Sequence, residues 1–238
     1  MRKHFCILAA GALLLAAIPA AAGEPGFVSL FDGKTLKGWS CPAMKYWSVE
    51  DGAITARNTQ PIKECYYLVW EGGQPADFEL KAKFRIQGPK EANSGIQFRS
   101  KVRPDGFVEG YQADIARETR FFGVLYDETP KRGLLAARGQ RVVIDEQGHR
   151  KVEAFADAAE LWKEIDLDGW NEYDITARGQ RVSAKINGHL MWDVTDREKG
   201  RRGEAPGVIA LQLHVGPPMK VQFKDIRLKA LGEGEKQR

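Results

Sequence analysis

Residues 78–87 read Phe78-Glu79-Leu80-Lys81-Ala82-Lys83-Phe84-Arg85-Ile86-Gln87, a strict alternation of apolar and polar side chains. Successive side chains of a β-strand point to opposite faces of its sheet, so a period of two directs one set to a core and the other to solvent. Ten residues of unbroken alternation therefore predict a long strand buried on one face.

A second stretch with the same period predicts a hairpin. Val182, Ala184 and Ile186 alternate into the dipeptide Asn187-Gly188, and the alternation resumes beyond it at Leu190, Trp192 and Val194. Asn-Gly tolerates positive φ at both central positions, as the turns that close tight hairpins require. Further turn signals divide the rest of the chain into short segments, namely Asp32-Gly33, Asp51-Gly52, Asp105-Gly106 and Gly216-Pro217-Pro218.

Helical spacing occurs in one segment, residues 151–165, where Val152, Phe155, Ala159 and Trp162 follow steps of three and four. One short helix among roughly a dozen strands predicts an all-β sandwich or jelly roll of two antiparallel sheets. The sequence shows no internal repeat or linker, so we expect a single domain over residues 23–231 and a polar, frayed tail over residues 232–238.

The N-terminal residues have the pattern of an export signal. Arg2 and Lys3 precede an apolar run over residues 5–18, and three alanines at residues 20–22 follow it. This predicts a signal peptide over residues 1–22, with cleavage before Gly23 and a periplasmic or secreted product. The run is shorter than the roughly 20 residues of a transmembrane helix, so we expect no stable membrane insertion after cleavage. An uncleaved anchor is the alternative.

Charge and cysteine content restrict the partners. The net charge is +4 and is spread along the chain, which predicts no nucleic-acid partner. Cys41 and Cys65 lie beyond the signal and could either pair in an oxidising compartment or stay separate buried thiols. Neither belongs to a cluster with the spacing of metal ligands.

Polar side chains recur in pairs opposite the apolar face of three predicted strands. The pairs are Gln97 with Arg99, Gln112 with Asp114, and Gln212 with His214. Ordinary solvated faces favour Lys, Glu and Thr, whereas amide, guanidinium, carboxylate and imidazole groups make directed hydrogen bonds. If the sheet is curved and the three strands are neighbours, these six side chains line one cleft. The alternative is three unrelated solvated faces.

Two acidic segments are further candidates. The triplet Tyr-Asp-Glu at residues 126–128 follows the aromatic pair at residues 121–122, which favours either a sugar-stacking wall with a catalytic carboxylate or a strand end before a turn. The segment Glu-Ile-Asp-Leu-Asp at residues 164–168 resembles the E-x-D-x-E strand of retaining β-glucanases, except that its last residue is Asp. A glucanase centred on Glu164 with Asp166 or Asp168 is therefore a third hypothesis.

Several motifs occur in the order typical of one family. Residues 30–39 read Leu-Phe-Asp-Gly-Lys-Thr-Leu-Lys-Gly-Trp. The later motifs are Trp47 with Asp51-Gly52, Asn-Ser-Gly-Ile-Gln-Phe-Arg at 93–99, Gly-Tyr-Gln-Ala-Asp at 110–114, Leu-Tyr-Asp-Glu at 125–128, Trp-Asn-Glu-Tyr at 170–173, Ile-Asn-Gly at 186–188, Leu-Gln-Leu-His at 211–214 and Phe-Lys-Asp-Ile-Arg-Leu at 223–228. Together they resemble the 3-keto-disaccharide hydrolase domain family, also described as 3-keto-glucoside 1,2-lyase/3-keto-2-hydroxyglucal hydratase.

The resemblance implies a fold and a reaction. The fold is a concanavalin A-like lectin/glucanase jelly roll, and the substrate is a carbohydrate, a 3-keto-glycoside. A ketone at C3 acidifies the proton on C2, so removal of that proton by a base expels the aglycone from C1 by β-elimination. Water then adds to the resulting 2-hydroxy-3-keto-glucal, for a net hydrolysis. A non-catalytic glycan-binding sandwich is the alternative from another class.

The resemblance also implies roles for the polar residues. His214 is a candidate base, and Asp114 or Glu128 is a candidate acid or orienting partner. Arg99 is the candidate donor to the enolate oxygen, together with Gln97 or Gln112. The substrate-binding candidates are Gln97, Gln112, Gln212, Tyr126 and Tyr111. A divalent cation could replace the arginine as electrophile. Many family members carry Glu where this chain has Tyr111 or Gln112, which leaves the identity of the base open.

Overall fold

A computed structural model describes residues 24–200 and 205–232. The predicted signal peptide at residues 1–22 and the last six residues of the predicted tail lie outside the described residues. In the described part of the chain, no helix is long and apolar enough to cross a membrane.

Seventeen strands and one α-helix occur in the described residues. The strands are β1 Val28–Ser29, β2 Trp39–Ser40, β3 Trp47–Glu50, β4 Ala53–Asn58, β5 Tyr66–Trp70, β6 Phe78–Gln87, β7 Asn93–Val102, β8 Val108–Ala116, β9 Leu125–Asp127, β10 Gly133–Ala136, β11 Gln140–Ile144, β12 Arg150–Ala154, β13 Asn171–Arg178, β14 Arg181–Ile186, β15 His189–Asp196, β16 Val208–Leu213 and β17 Met219–Ala230. The helix α1 is Ala158–Lys163, and Met44–Tyr46 forms a short 3-10 turn.

The strands form two sheets. The large sheet has the order β12-β11-β15-β14-β13-β6-β17-β4-β3, with β1 added alongside β17, and the small sheet has the order β10-β9-β8-β7-β16-β5-β2. Pairing is antiparallel throughout the described sheets except between β11 and β15, which run parallel. The predicted all-β class with two mainly antiparallel sheets is confirmed.

The alternating segment at residues 78–87 forms β6, paired on both sides by β13 and β17. Its apolar set faces the interior, where Phe78, Leu80 and Phe84 are fully buried. The small sheet packs against this face, and the parallel rings of Phe98 in β7 and Trp192 in β15 meet across the interface, with centroids 6.4 Å apart. The core is therefore a layer of interdigitated side chains between the two sheets.

The predicted hairpin is confirmed. Strands β14 and β15 pair in antiparallel register, and the turn between them is Asn187-Gly188. Both turn residues have positive φ, 52° for Asn187 and 85° for Gly188. Such a turn matches the right-handed twist of the strands that it joins.

The helix is shorter than the sequence predicts. Residues Arg150–Ala154, the first part of the predicted helix at 151–165, instead form β12 and pair with β11. The helix begins after Asp157, whose carboxylate accepts hydrogen bonds from the backbone N–H groups of Ala159 and Glu160. The prediction was wrong over residues 151–157, because edge pairing with β11 satisfies the backbone of Arg150–Ala154 and leaves Val152 52% exposed.

Candidate functional site

A pocket of about 360 Å³ opens on the outer face of the small sheet, opposite the core. Its lining residues are Lys90, Glu91, Ala92, Asn93, Gln112, Asp114, Ala116, Glu118, Phe121, Tyr126, Glu128 and His214. This volume lies in the range of small-molecule binding sites.

Strand order brings residues from distant parts of the sequence into this pocket. Strand β8 lies between β7 and β9, and β16 lies on the other side of β7. Gln97, Gln112 and Tyr126 therefore form one row across three strands. Of the residues nominated from the sequence, five line the pocket, and these are Gln112, Asp114, Tyr126, Glu128 and His214.

A buried chain of hydrogen bonds runs beneath the pocket and ends on Asp114. The Ser100 hydroxyl donates to Gln97 Oε1 at 2.8 Å, and Gln97 Nε2 donates to Gln112 Oε1 at 2.8 Å. Gln112 Nε2 in turn donates to Asp114 Oδ1. Gln97 is fully buried and does not line the pocket, so it is not placed to contact a substrate there. It instead donates a hydrogen bond to Gln112, which does line the pocket.

The environment of Asp114 favours the protonated acid. Burial raises the pKa of Asp114 well above its usual range, and the nearby Glu128 carboxyl adds to the rise, against the opposing hydrogen bond from Gln112. Because the Gln112 amide donates to Oδ1, the other oxygen, Oδ2, is the one that can carry a proton. A neutral carboxylic acid is a hydrogen-bond donor as well as an acceptor.

Glu128 is poised to exchange a proton near neutral pH. Burial raises the pKa of Glu128 to about 7, and the neighbouring Asp127 contributes to the rise. Gln212 Nε2 lies 3.4 Å from Glu128 Oε1 and 3.2 Å from the Tyr67 hydroxyl. Gln212 is fully buried and does not line the pocket, so it supports Glu128 in place of its predicted contact with substrate.

His214 follows the last residue of β16 and is held in one tautomer. Its Nδ1 lies 2.5 Å from the backbone oxygen of Val215. A carbonyl oxygen only accepts hydrogen bonds, so Nδ1 carries the hydrogen and the lone pair is on Nε2. Burial lowers the pKa of the imidazole from its usual value of 6.5, which favours the neutral base.

Arg99 does not join the pocket, and the prediction that it shares a face with Gln97 was wrong. The β7–β8 register shifts between Phe98 and Lys101, and Arg99 has a φ of 47°. Such a bulge breaks the alternation, so the residue after it takes the position that strict alternation assigns to Arg99. Ser100 accordingly contacts Gln97, and the Arg99 guanidinium is directed elsewhere.

The Arg99 guanidinium is an internal clamp between loops. It donates to the backbone oxygen of Ala76 at 2.6 Å, to that of Gly179 at 2.6 Å, and to the carboxylate of Asp77 at 2.8 Å. The side chain has no exposed surface. These contacts assign Arg99 to the structure of the domain and not to the pocket.

We expect Arg99→Met to lower the free energy of unfolding by about 3 kcal/mol, because it takes this donor from the Ala76 and Gly179 carbonyls and breaks the ion pair with Asp77. Chemical denaturation measures this loss. The matched control is Arg103→Met, since Arg103 pairs with Asp105 on the surface and its removal should cost at most about 0.5 kcal/mol. A variant at Arg99 with native stability but greatly reduced turnover would contradict the structural assignment.

Tyr111 also lies outside the pocket. Its ring packs between the sheets at 5.5 Å from the Phe98 ring, and its hydroxyl donates to Asp196. Gln112 and Asp114 face outward on β8, so strict alternation turns Tyr111 inward. Tyr111 therefore does not line this pocket, unlike the other tyrosine predicted to bind substrate, Tyr126.

The acidic segment at residues 164–168 does not form the strand that a glucanase site requires. Glu164 ends the helix α1, and its carboxylate lies 3.2 Å from His189 Nε2. Asp166 accepts from the backbone N–H groups of Asp168 and Gly169 in a turn. The carboxylates thus project from a helix end and a turn, not from alternate positions of one strand face, so the strand that this hypothesis requires does not form there.

The structure also bears on the pairing of the two cysteines and on the ligands that a divalent cation would need. Cys41 and Cys65 are two separate thiols, and burial raises the pKa of both. Within residues 24–200 and 205–232, no group of three or more His, Cys, Asp or Glu side chains is arranged to hold a metal ion. The divalent cation considered from the sequence has no such ligand set in that part of the chain.

Several residues that line the pocket were not predicted from the sequence. Lys90, Glu91 and Glu118 belong to connections between strands, where side-chain direction has no period to read. Asn93, at the start of β7, was visible only as part of a family motif.

Comparison with solved structures identifies the same sandwich in other proteins. The chain is similar to a Parabacteroides distasonis ATCC 8503 protein provisionally named a glycosyl hydrolase, with 18% identity, a TM-score of 0.54, and coverage of 87% of this chain and 94% of that one. It is also similar to the carbohydrate-binding module CBM66 from Bacillus subtilis, with 14% identity, a TM-score of 0.55, and coverage of 81% and 96%. At these identities the likeness shows the fold alone.

Comparison with family models identifies a family as well as a fold. No curated protein matches the chain. A family model described as the 3-keto-alpha-glucoside-1,2-lyase-like domain matches residues 26–229, nearly all of the described chain. This agrees with the motifs in the sequence and indicates a carbohydrate-related function. The chain therefore belongs to the 3-keto-alpha-glucoside-1,2-lyase-like domain family.

Proposed function

We propose that this protein cleaves 3-keto-glycosides by β-elimination across C2 and C1 and then hydrates the resulting 2-hydroxy-3-keto-glucal. The observation that carries the proposal is that one pocket gathers Asp114, Glu128 and His214, whose pKa values are displaced in different directions. Raised carboxyl pKa values beside a lowered imidazole pKa let a protonated acid and a neutral base coexist near neutral pH, so the groups can divide the work of acid and base.

The reaction needs a base at C2, an acid at the leaving oxygen and a donor to the ketone. Loss of the C2 proton leaves an electron pair that the C3 ketone stabilises as an enolate. That pair forms the C1–C2 double bond as the C1–O bond breaks, and the aglycone oxygen takes up a proton. Addition of water across the double bond then places a hydroxyl at C1 and a proton at C2, without any oxidant or reductant.

His214 acts as the base at C2. Its neutral ring holds the lone pair on Nε2, and the bond from Nδ1 to the Val215 oxygen fixes the ring in that tautomer. The lowered pKa keeps the ring unprotonated at neutral pH. A base with a pKa near the working pH is effective in proton transfer from carbon.

Glu128 acts as the acid at the leaving oxygen and as the base in the hydration step. With a pKa of about 7, both the protonated and the ionised form are populated near neutral pH. After it has protonated the aglycone, the carboxylate can take a proton from the incoming water. The same group thus serves both halves of the reaction in turn.

Asp114, in place of Arg99, acts as the hydrogen-bond donor to the enolate oxygen. Its protonated Oδ2 donates a hydrogen bond to the C3 oxygen as negative charge develops there. A buried carboxylic acid that stays neutral to donate such a bond is an established device in ketosteroid chemistry. The amide chain through Gln97 and Gln112 holds Asp114 in this orientation.

The first test compares p-nitrophenyl 3-keto-glucoside with its unoxidised parent in deuterated water. We expect release of nitrophenol from the keto sugar only, because only the ketone acidifies C2. We also expect deuterium at C2 of the sugar product, since the C2 proton is lost to the protein and replaced from solvent. Mass spectrometry at early times measures the label, and product incubated without protein for the same time corrects for spontaneous exchange.

Two other outcomes would contradict the proposal. Cleavage of the unoxidised parent with the C2 hydrogen retained would indicate an ordinary glycosidase. Binding of both sugars without turnover of either would indicate a glycan-binding module.

A further inference from the structure

A second cleft of about 360 Å³ lies on the outer face of the large sheet, and the proposed reaction does not use it. Its lining residues are Lys83, Trp170, Asn171, Glu172, Asn187 and Lys224. Trp170 directly precedes β13 and is half-buried. Its ring lies toward the side chains of β6 and β17, the two strands beyond β13.

Two cations lie against the Trp170 ring. Lys224 Nζ is 4.1 Å and Arg85 Cζ is 4.7 Å from the ring centroid. Arg85 donates through Nε to the neutral amide of Gln222. Among the described residues, no carboxylate forms an ion pair with Lys224 or Arg85, so the aromatic ring is flanked by two cations without an acidic partner.

The register of β6 and β17 places a third cation, Lys83, beside Lys224 and Arg85. Lys83 stands directly opposite Lys224 in the β6–β17 ladder, a like-charged pair that destabilises a sheet unless it is neutralised. Asp225 lies 2.8 Å from Lys83 and neutralises that member of the pair. Glu172 pairs with Arg227 on the same face. The positive charge of Lys224 and Arg85 is thus left for an anion from outside the chain.

The aromatic ring restricts what that anion can be. Trp170 is partly exposed, and the C–H face of a sugar ring can pack against the part of the indole that Lys224 and Arg85 leave uncovered, while the sugar's polar groups point away. The amides of Asn171 and Asn187 are already bonded to each other and to backbone groups, so the charged donors are the cations. An apolar platform beside unneutralised cations fits a sugar ring that carries a carboxylate.

The catalytic pocket has the opposite character. Among the described residues its lining includes the carboxylates of Glu91 and Glu118 and the partly ionised Glu128 against one lysine, so a carboxylated sugar is disfavoured there and favoured at the second cleft. The separation of charge lets one molecule hold an acidic glycan on the large sheet while the pocket on the small sheet stays open.

We infer that the Trp170 cleft binds a uronate unit of an acidic glycan, with the sugar ring against the uncovered part of Trp170 and its carboxylate held by Lys224 of the cleft and the adjacent Arg85. This inference does not depend on the proposed function. Binding should weaken as salt is added, because the contact is between exposed charges.

The test titrates the protein with trigalacturonate, with its methyl ester and with inorganic phosphate, measures the affinity of each variant by isothermal titration calorimetry, and locates binding by NMR shift changes of the tryptophan indole N–H groups. We expect the Trp170 signal to respond to trigalacturonate, and Lys224→Met and Trp170→Ala each to weaken this binding about tenfold or more, equivalent to about 1.4 kcal/mol. The methyl ester should bind about tenfold more weakly than the acid, since it keeps the ring and loses the charge.

Matched controls separate this site from general charge effects. Lys45→Met removes another lysine that lies over an aromatic ring, Tyr46 at 5.0 Å, and should leave trigalacturonate binding unchanged. Lys224→Met should also leave kcat/KM for a small neutral 3-keto-glucoside unchanged. Equal binding of acid and ester, equal binding of phosphate or of an oligonucleotide, or no response at Trp170 would each overturn the inference.

Discussion

Replacing His214 with alanine is expected to lower turnover of a 3-keto-glucoside by about 10²-fold or more, because the variant has no lone pair positioned to take the C2 proton. The free energy of unfolding should change little, since among the described residues the one hydrogen bond of the ring is to the oxygen of the adjacent Val215. Steady-state kinetics and chemical denaturation on the same preparation measure the two effects.

The pH profile distinguishes a base from a merely structural histidine. Protonation removes the lone pair, so wild-type activity should fall as the pH drops below the pKa of His214, which burial places under 6.5. Activity should also fall as the pH rises through about 7, because Glu128 then loses the proton that it gives to the leaving oxygen. The residual activity of the His214 variant should lack the acid-side fall and keep the alkaline one.

His189→Ala is the matched control for this experiment. His189 lies at the start of β15, half-exposed beside Glu164, and does not line the pocket. Its loss should leave the pH profile unchanged. Loss of stability without loss of turnover per folded molecule in the His214 variant would overturn its role as a base.

The second large effect is expected for Asp114→Asn. The amide can still accept from Gln112 but is a much weaker donor than a carboxylic acid, so stabilisation of the enolate should drop. Loss of one such donor typically lowers kcat by about 10² to 10³-fold. KM should change less than kcat, because the bond strengthens only as charge develops on the C3 oxygen.

The same variant should gain stability at neutral and higher pH. The pKa of Asp114 is raised in the folded state, so folding is favoured below the unfolded pKa and loses that support as the pH rises toward the folded one. Asparagine removes this dependence because it does not ionise. Unfolding free energies across pH that fall equally steeply in both proteins would show that Asp114 does not hold a buried proton.

Local pattern was sufficient for the parts of the fold that depend on a few neighbouring residues. The strand β6 and the turn at Asn187-Gly188 follow from side-chain alternation and from the φ values that Asn and Gly allow. The start of the helix was misjudged because its spacing also fits a strand, and pairing of β12 with β11 is a contact between segments.

The same limit applies to the pocket. Alternation correctly placed Gln112 and Asp114 on one face of β8, because that rule acts within a strand. It failed for Arg99, where a bulge in β7 interrupts the period. It also gave no means of knowing that Gln97 and Gln212 are buried beneath the groups that they support.

By itself, the sequence determined the all-β class, the hairpin, the family and the polar faces of three strands, because these depend on residue types at short spacing. Only the tertiary structure decided which of those faces meet. The order of β9, β8, β7 and β16 is set by packing of the whole core, which no local period encodes. That order, through burial, raises the pKa of Glu128 and of Asp114 and lowers that of His214 in one pocket.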